Sequence, residues 1–435
     1  MSDILDYHAQ HVLRRIIDEL PYNQQVQLKN IHLCGRKIIK NPGKVPAVYV
    51  MRNNDGGAKF FGQSHCQNPF CCPTCAARIM EKYRSQIASA LDMLKEDHFA
   101  FMATFTVPHL KFMSCREVTD ILYETWKYFR LKMKPNPKKN WVHPFYAFNQ
   151  EVPIKYWVRV CEYTYGEENG WHPHFHVIYW TERGYEDKIL NWQDRLNEFW
   201  IEQAKRVALK YWKTNKLHEG QDLEKLADRL FCFAVDEYTK RNPALKFSTD
   251  RDGKIMESVS SSYLTGWSTD QEITGNVRKE ASHEGHYTPY QILLKAEHDL
   301  EWRNIYVDFC LSVTRKPVHH RMNFSKNGFL KLIEEYRKEH GYQSTVIQKK
   351  RTSKWEVVAY FYEDEWSRLY DLNNTAPVLS NILYLAAKDT SLMHEYLESL
   401  KFKRREIDPT LKEDMDRIMR EQCEYIESIF NNVAS

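Results

Sequence analysis

The sequence predicts an α+β protein with a central antiparallel sheet, on three observations. Tyr156–Tyr163 and Phe175–Trp180 read as two strands around a turn at Gly166–Gly170. Ala47–Met51 and Ala58–Gly62 read as a second hairpin, turned at Asp55-Gly56-Gly57. Helical segments are interleaved with these strands, but the pair beside Gly170 is antiparallel, which argues against a doubly wound sheet.

In chain order, residues 1–24 read as a helix broken by Pro21, and residues 25–75 are turn-rich, with Gly35 and Pro42-Gly43. Ile79, Tyr83, Ile87, Leu91 and Leu94 recur at helical spacing and mark an amphipathic helix over 76–94. Phe99–Val107 reads as a strand stopped by Pro108, and 114–132 as a helix. Pro135, Pro137, Pro144 and Pro153 make 133–155 loop-like. A long helix follows over 187–212, then a short strand at Ala244–Thr249 turned by Asp250-Arg251-Asp252-Gly253, then a helix over Met256–Trp267. The C-terminal third reads as mainly helical, with a strand at Trp355–Phe361. This gives three expected segments: an N-terminal helix and cysteine-rich module (1–95), a central domain (96–295), and a mainly helical accessory region that binds DNA or a partner (296–435).

The composition, 43% hydrophobic and 28% charged, excludes a disordered chain. Residues 1–20 lack a signal-peptide core and no apolar run reaches membrane-spanning length, so a cytoplasmic protein with no membrane partner is expected. A net charge of +4 permits nucleic-acid binding without demanding it. Local basic clusters stand at Lys132, Lys134, Lys138 and Lys139, at Lys349, Lys350 and Arg351, and at Lys401, Lys403, Arg404 and Arg405. Without a secretory signal the cysteines are expected to be reduced, and five of the ten crowd between Cys34 and Cys75, which points to metal.

Two patterns carry chemistry. In Gly170-Trp171-His172-Pro173-His174-Phe175-His176, strand alternation turns His174 and His176 to one side. Glu162, just before the turn, is placed to complete a His-His-carboxylate site with open positions. Such a site suits a divalent ion that grips a phosphate oxygen. Alternation puts His172 on the same side, unless Pro173 bulges the strand. In the second pattern, Cys66, Cys72 and Cys75 with upstream Cys34 supply four thiolates for a closed tetrahedral zinc site. Cys71 and His65 are alternative ligands.

These motifs resemble the HUH endonucleases, named for His-hydrophobic-His, and more narrowly the plasmid rolling-circle replication initiators, or Rep proteins. Three motifs occur in the family's order: Ala103-Thr104-Phe105-Thr106-Val107-Pro108, then Gly170–His176, then a tyrosine helix matched by Ser262-Tyr263-Leu264-Thr265-Gly266-Trp267. Gly285-His286-Tyr287-Thr288-Pro289-Tyr290 also resembles a stretch that follows that helix. The likeness runs from about Cys34 to Leu293.

The resemblance implies an HUH-type nuclease domain that nicks one strand of origin DNA. Tyr263 would be the nucleophile, giving a 5′-phosphotyrosine and a free 3′-OH primer. Mg2+ or Mn2+ would be held by Glu162, His174 and His176. Zn2+ in the cysteine module would help hold DNA or brace the nuclease. Plasmid origin DNA, a host helicase and a DNA polymerase are the implied partners. Two departures stand out: Val259 occupies the place of a water-activating Glu, with Glu257 displaced by two, and Gly266 replaces a Lys. Trp267 fills the place of a second tyrosine, so the pattern is that of a single-tyrosine enzyme. An HUH transposase or relaxase, and a non-catalytic zinc-containing DNA-binding regulator, are the alternatives.

Overall fold

A computed structural model describes residues 2–39, 47–131, 142–231, 243–259, 285–315, 322–325, 328–340, 355–372 and 375–403 of the chain. Among these residues the strands are β1 (Ala47–Asn53), β2 (Ala58–Phe61), β3 (His98–Phe105), β4 (Ile154–Gly166), β5 (Gly170–Glu182), β6 (Leu245–Phe247), β7 (His286–Tyr287), β8 (Asn323–Phe324) and β9 (Trp355–Tyr362). The chain divides into two compact units, one formed by Met1–Ala76 with Ser344–Ser435 and the other by Ala77–Gln343.

The first unit carries an antiparallel sheet in the order β2-β1-β9. On its inner face Val48, Val50 and Phe361 pack with Trp366, Leu369, Val378, Leu379 and Ile382, from helices Glu363–Tyr370 and Thr375–Lys388. The C-terminal segment from residue 344 packs within this unit. It supplies β1 with its second neighbour and covers the sheet's apolar face. Near the N-terminus, Pro21 divides two helices, Ser2–Asp18 and Tyr22–His32. It sits at the cap of the second helix (φ −56°, ψ 145°), where a missing N–H costs nothing.

The second unit is built on a six-stranded sheet in the order β6-β3-β5-β4-β7, with β8 added to β4. Its pairings are antiparallel, so the expected α+β class with antiparallel sheets holds. Phe105 and Phe175 sit opposite one another and turn to the core. There Phe105 meets Trp126, Phe129 and Trp200 at ring distances of 5.2, 5.5 and 5.0 Å. Each such edge-on pair adds about 0.5–1.5 kcal/mol beyond simple burial. These rings come from helices Cys115–Leu131 and Gln193–Asn215, and they fix the back of the sheet that carries the histidines.

Local readings differ at three places. Within the expected loop 133–155, Pro144–Glu151 is a helix: Pro144 starts it at a position that needs no N–H, and Phe145 and Phe148 bury against the core. The expected long helix over 187–212 is two helices, Glu186–Leu190 and Gln193–Asn215. The expected helix over Met256–Trp267 is absent from its described part, residues 256–259. Met256 donates its N–H to Ser248 O at 2.9 Å, Glu257 bridges Phe101, and Ser258 donates to Ala100 O at 2.8 Å. Local helical spacing lost there to pairing with Ser248 and with β3. The rest of that segment, Tyr263 included, lies outside the described residues.

Candidate metal centres

The long hairpin β4–β5 builds the first centre. Its register sets Glu162 opposite His174 and Val160 opposite His176, and it runs without a shift through Tyr163↔Pro173. Pro173 therefore does not bulge the strand. Pairing of β5 with β3 ends at Phe105↔Phe175, so no ladder bond is asked of the proline on that side. The turn is tight at Gly170, where φ is +78° and a Cβ would come within 2.8 Å of Lys111 O; a side chain there would have to displace backbone. With alternation intact, Glu162, His172, His174 and His176 share one face.

Three of these four converge. Glu162 Oε2 lies 3.2 Å from His174 Nε2 and 3.0 Å from His176 Nε2. The opposite nitrogens are held by the protein: His174 Nδ1 donates to His172 O at 3.2 Å, and His176 Nδ1 lies 3.2 Å from Thr104 Oγ1. With the Nδ1 atoms engaged in this way, each Nε2 would be free to offer its lone pair to an ion in place of a hydrogen bond to Glu162. Two ligands about 2.1 Å from an octahedral ion stand about 3.0 Å apart, which matches both spacings. The three ligand atoms can thus hold a divalent ion and leave coordination positions open.

Glu162 and His176 are buried, while His174 is half-buried and opens the group on one side. Burial by itself would raise the Glu162 carboxyl. The hydrogen bonds and charges of His174 and His176 outweigh it and hold the group well below the ordinary carboxylate range. His172 stays outside the trio. Its Nδ1 lies 2.9 Å from His109 Nε2, and burial pushes His172 well down and His109 to about 4, so this pair is uncharged at neutral pH. Sequence reasoning missed His109 and gave Thr104 no role. The alternation that turns Thr104 toward His176 is visible only once β3 is known to pair with β5.

The second centre gathers Cys34, Cys66, Cys72 and Cys75. Residues around Ile38 bridge back to Gln63, with Ser64 N donating to Lys37 O and Gly35 N to Ser64 O, each at 2.7 Å. That pairing brings Cys34 beside Cys66. Cys72 and Cys75 stand at the start of helix Pro73–Leu94, where the helix dipole favours thiolates. The sulfurs lie 3.5 Å (Cys34–Cys75), 3.5 Å (Cys34–Cys72) and 3.7 Å (Cys66–Cys75) apart. A tetrahedral Zn2+ with bonds near 2.3 Å has sulfur–sulfur edges of about 3.8 Å, so the four can hold a metal such as zinc.

Cys66 N and Asn68 N donate to the sulfurs of Cys34 and Cys66, each at 3.4 Å. Hydrogen bonding, chiefly from Cys66, lowers Cys34 to about 6, and hydrogen bonds from its three fellow cysteines hold Cys75 well down. Burial is the main cause raising Cys72. Cys71 is buried outside this group, with its N–H on Asn68 Oδ1, and His65 approaches Cys34 Sγ at 3.8 Å without joining it.

Tyr287, in the segment that resembles the stretch after the tyrosine helix, pairs opposite Tyr165, on the face away from the histidines, and donates its hydroxyl to Glu167 at 2.7 Å. Among the described residues no helix is long and apolar enough to cross a membrane. No protein-family profile matches the chain, and no solved structure does. Among curated proteins the chain is 26% identical over 148 residues to Protein rep of Streptomyces lividans, a stretch covering 30% of this chain and 32% of that protein's length. Over that stretch, about a third of the relative, the chain is similar to a rep protein.

Proposed function

We propose that the protein initiates rolling-circle replication of a plasmid by nicking one strand of its origin, on an HUH-type nuclease domain. The observation that carries this reading is the convergence of Glu162, His174 and His176 on one open face of an antiparallel sheet. The similarity to Protein rep supports a role in plasmid replication.

In this reading the Tyr263 hydroxyl attacks the scissile phosphorus. A bond forms between its oxygen and phosphorus, and the bond from phosphorus to the 3′ oxygen breaks. The phenolic proton passes to solvent and the leaving oxygen takes one back, giving a 5′-phosphotyrosine and a free 3′-OH. Mg2+ or Mn2+, when bound, supplies positive charge to the phosphate oxygens. The 3′-OH primes a polymerase and a helicase opens the duplex, so both are partners of the reaction. Zn2+ on the four cysteines has a structural part.

Incubating the protein with supercoiled DNA carrying the cognate origin, with Mn2+, should give nicked circles bearing protein at the 5′ end. Tyr263→Phe should give neither nick nor adduct, while still binding DNA and metal. Metal-dependent cleavage without any adduct would make water the nucleophile and end this reading. An adduct mapped to Tyr287 or Tyr290 would move the nucleophile and keep the metal centre.

A further inference from the structure

The Gly285–Leu293 motif supplies nothing to the metal trio, yet the sheet carries part of it to the same face. β7 pairs with β4 as Tyr165↔Tyr287 and Gly166↔His286. Residues opposite one another in an antiparallel ladder point to the same side. Gly166 is four residues from Glu162, so His286 stands on the face of Glu162, His174 and His176, toward the β4–β5 turn.

Gly166 makes room for the imidazole. A Cβ at that position would meet His286 Nε2 at 3.4 Å and Cδ2 at 3.5 Å, so the ring lies over the glycine, and it is exposed. Between Glu162 and this ring, the face carries Thr164 and His172, opposite one another. From Glu162 to the turn, β4, β5 and β7 place imidazoles, one hydroxyl and glycines on this side, and no second carboxylate. Along these strands a polyanion would meet a like charge only at Glu162, with Glu167 and Glu168 in the turn beyond Gly166. Four residues of strand span about 13 Å, too far for His286 to reach a phosphate held at Glu162.

We propose that His286 binds a neighbouring backbone phosphate of the same single strand, on the side of the scissile phosphate nearer the β4–β5 turn. The inference rests on the nicking function proposed above.

The test uses single-stranded origin oligonucleotides in the Tyr263→Phe background, with a neutral methylphosphonate replacing each phosphate in turn. His286→Ala should weaken binding about tenfold, the worth of one hydrogen bond to a charged group. One methylphosphonate position should weaken the His286 protein by a similar factor and leave the His286→Ala protein unaffected. His286→Gln, which keeps a donor, should recover part of the affinity, and Mn2+ binding should be unchanged in both variants. The inference falls if His286→Ala binds as tightly as its parent, or keeps every methylphosphonate sensitivity. If that happens while the unmutated protein still nicks origin DNA, the nicking function stands and only this contact is lost. If the unmutated protein neither binds nor nicks the origin strand, both readings fall.

Discussion

The four-sulfur group and the Glu162–His174–His176 group both gather ligand atoms closely enough for one ion, but they are assembled in opposite ways. The sulfurs come from separate points of a turn-rich segment and meet through a short pairing between residues near Ile38 and Gln63. They number four, backbone N–H groups cover two of them, and three of the cysteines are fully buried. The histidine group comes from two neighbouring strands of one hairpin, numbers three, and is half-open at His174. A saturated set of ligands leaves an ion nothing to do but hold loops together, whereas an unsaturated set on a rigid sheet leaves it able to take a substrate oxygen.

The largest effect expected from this contrast is at the sulfurs. Structural zinc sites are worth about 10–16 kcal/mol of binding energy that is also folding energy. Cys72→Ser or Cys75→Ser should therefore abolish zinc retention and unfold the first unit. Metal analysis and hydrogen exchange over residues 25–75 would show it, and full protection in a zinc-free protein would refute the closed-site reading. Prolonged exposure to a chelator should strip activity long before it strips zinc.

A smaller but still large effect is expected at the open group. In the proposed nicking reaction, His174→Ala, His176→Ala or Glu162→Ala should lower the rate by about a thousandfold, as removal of several kcal/mol of charge stabilisation requires. Zinc content and thermal stability of the first unit should not change. A rate within a few-fold of the unmutated protein would break the contrast.

The finest distinction lies in Thr104, which touches His176 from outside the Glu162–His174–His176 group. Thr104→Val keeps the shape and removes the oxygen facing His176 Nδ1. Affinity for Mn2+, followed by electron paramagnetic resonance, should fall by about 10–100-fold, with a matching rise in the metal needed for activity. Unchanged affinity would show that packing alone orients the His176 ring.

The histidine hairpin was legible in the sequence because strand alternation is local: once Gly166–Gly170 is a turn, Glu162 and His174 have little freedom to miss each other. Cys72 and Cys75 were legible for the same reason. Choosing Cys34 and Cys66 over Cys71 and His65 needed the fold, since the return of the chain past Ile38 has no strong pattern of its own. The docking of β9 onto β1 was out of reach. A strand-like run at 355–361 says nothing about which of several edges it joins, and its partner lies some 300 residues upstream. Residues 256–259 show the converse error, where helical spacing was real but the backbone donors of Met256 and Ser258 went to Ser248 O and Ala100 O.

That distant pairing fixes an order of events while the chain is being made. The Ala77–Gln343 unit is continuous and emerges whole, so it can fold from its own residues. The unit that contains β1 is in two pieces and must wait for β9 and the helices after it. At ordinary synthesis rates of about 5–20 residues per second, roughly 300 residues take about 15–60 s. For that interval one edge of β1 is bare, and Val48 and Val50 lack the helices that will cover them. A ribosome that stalls after Gln343 would release a chain with a finished sheet of histidines and a half-built first unit whose β1 side chains are uncovered, so quality-control proteases should meet this protein first at its beginning.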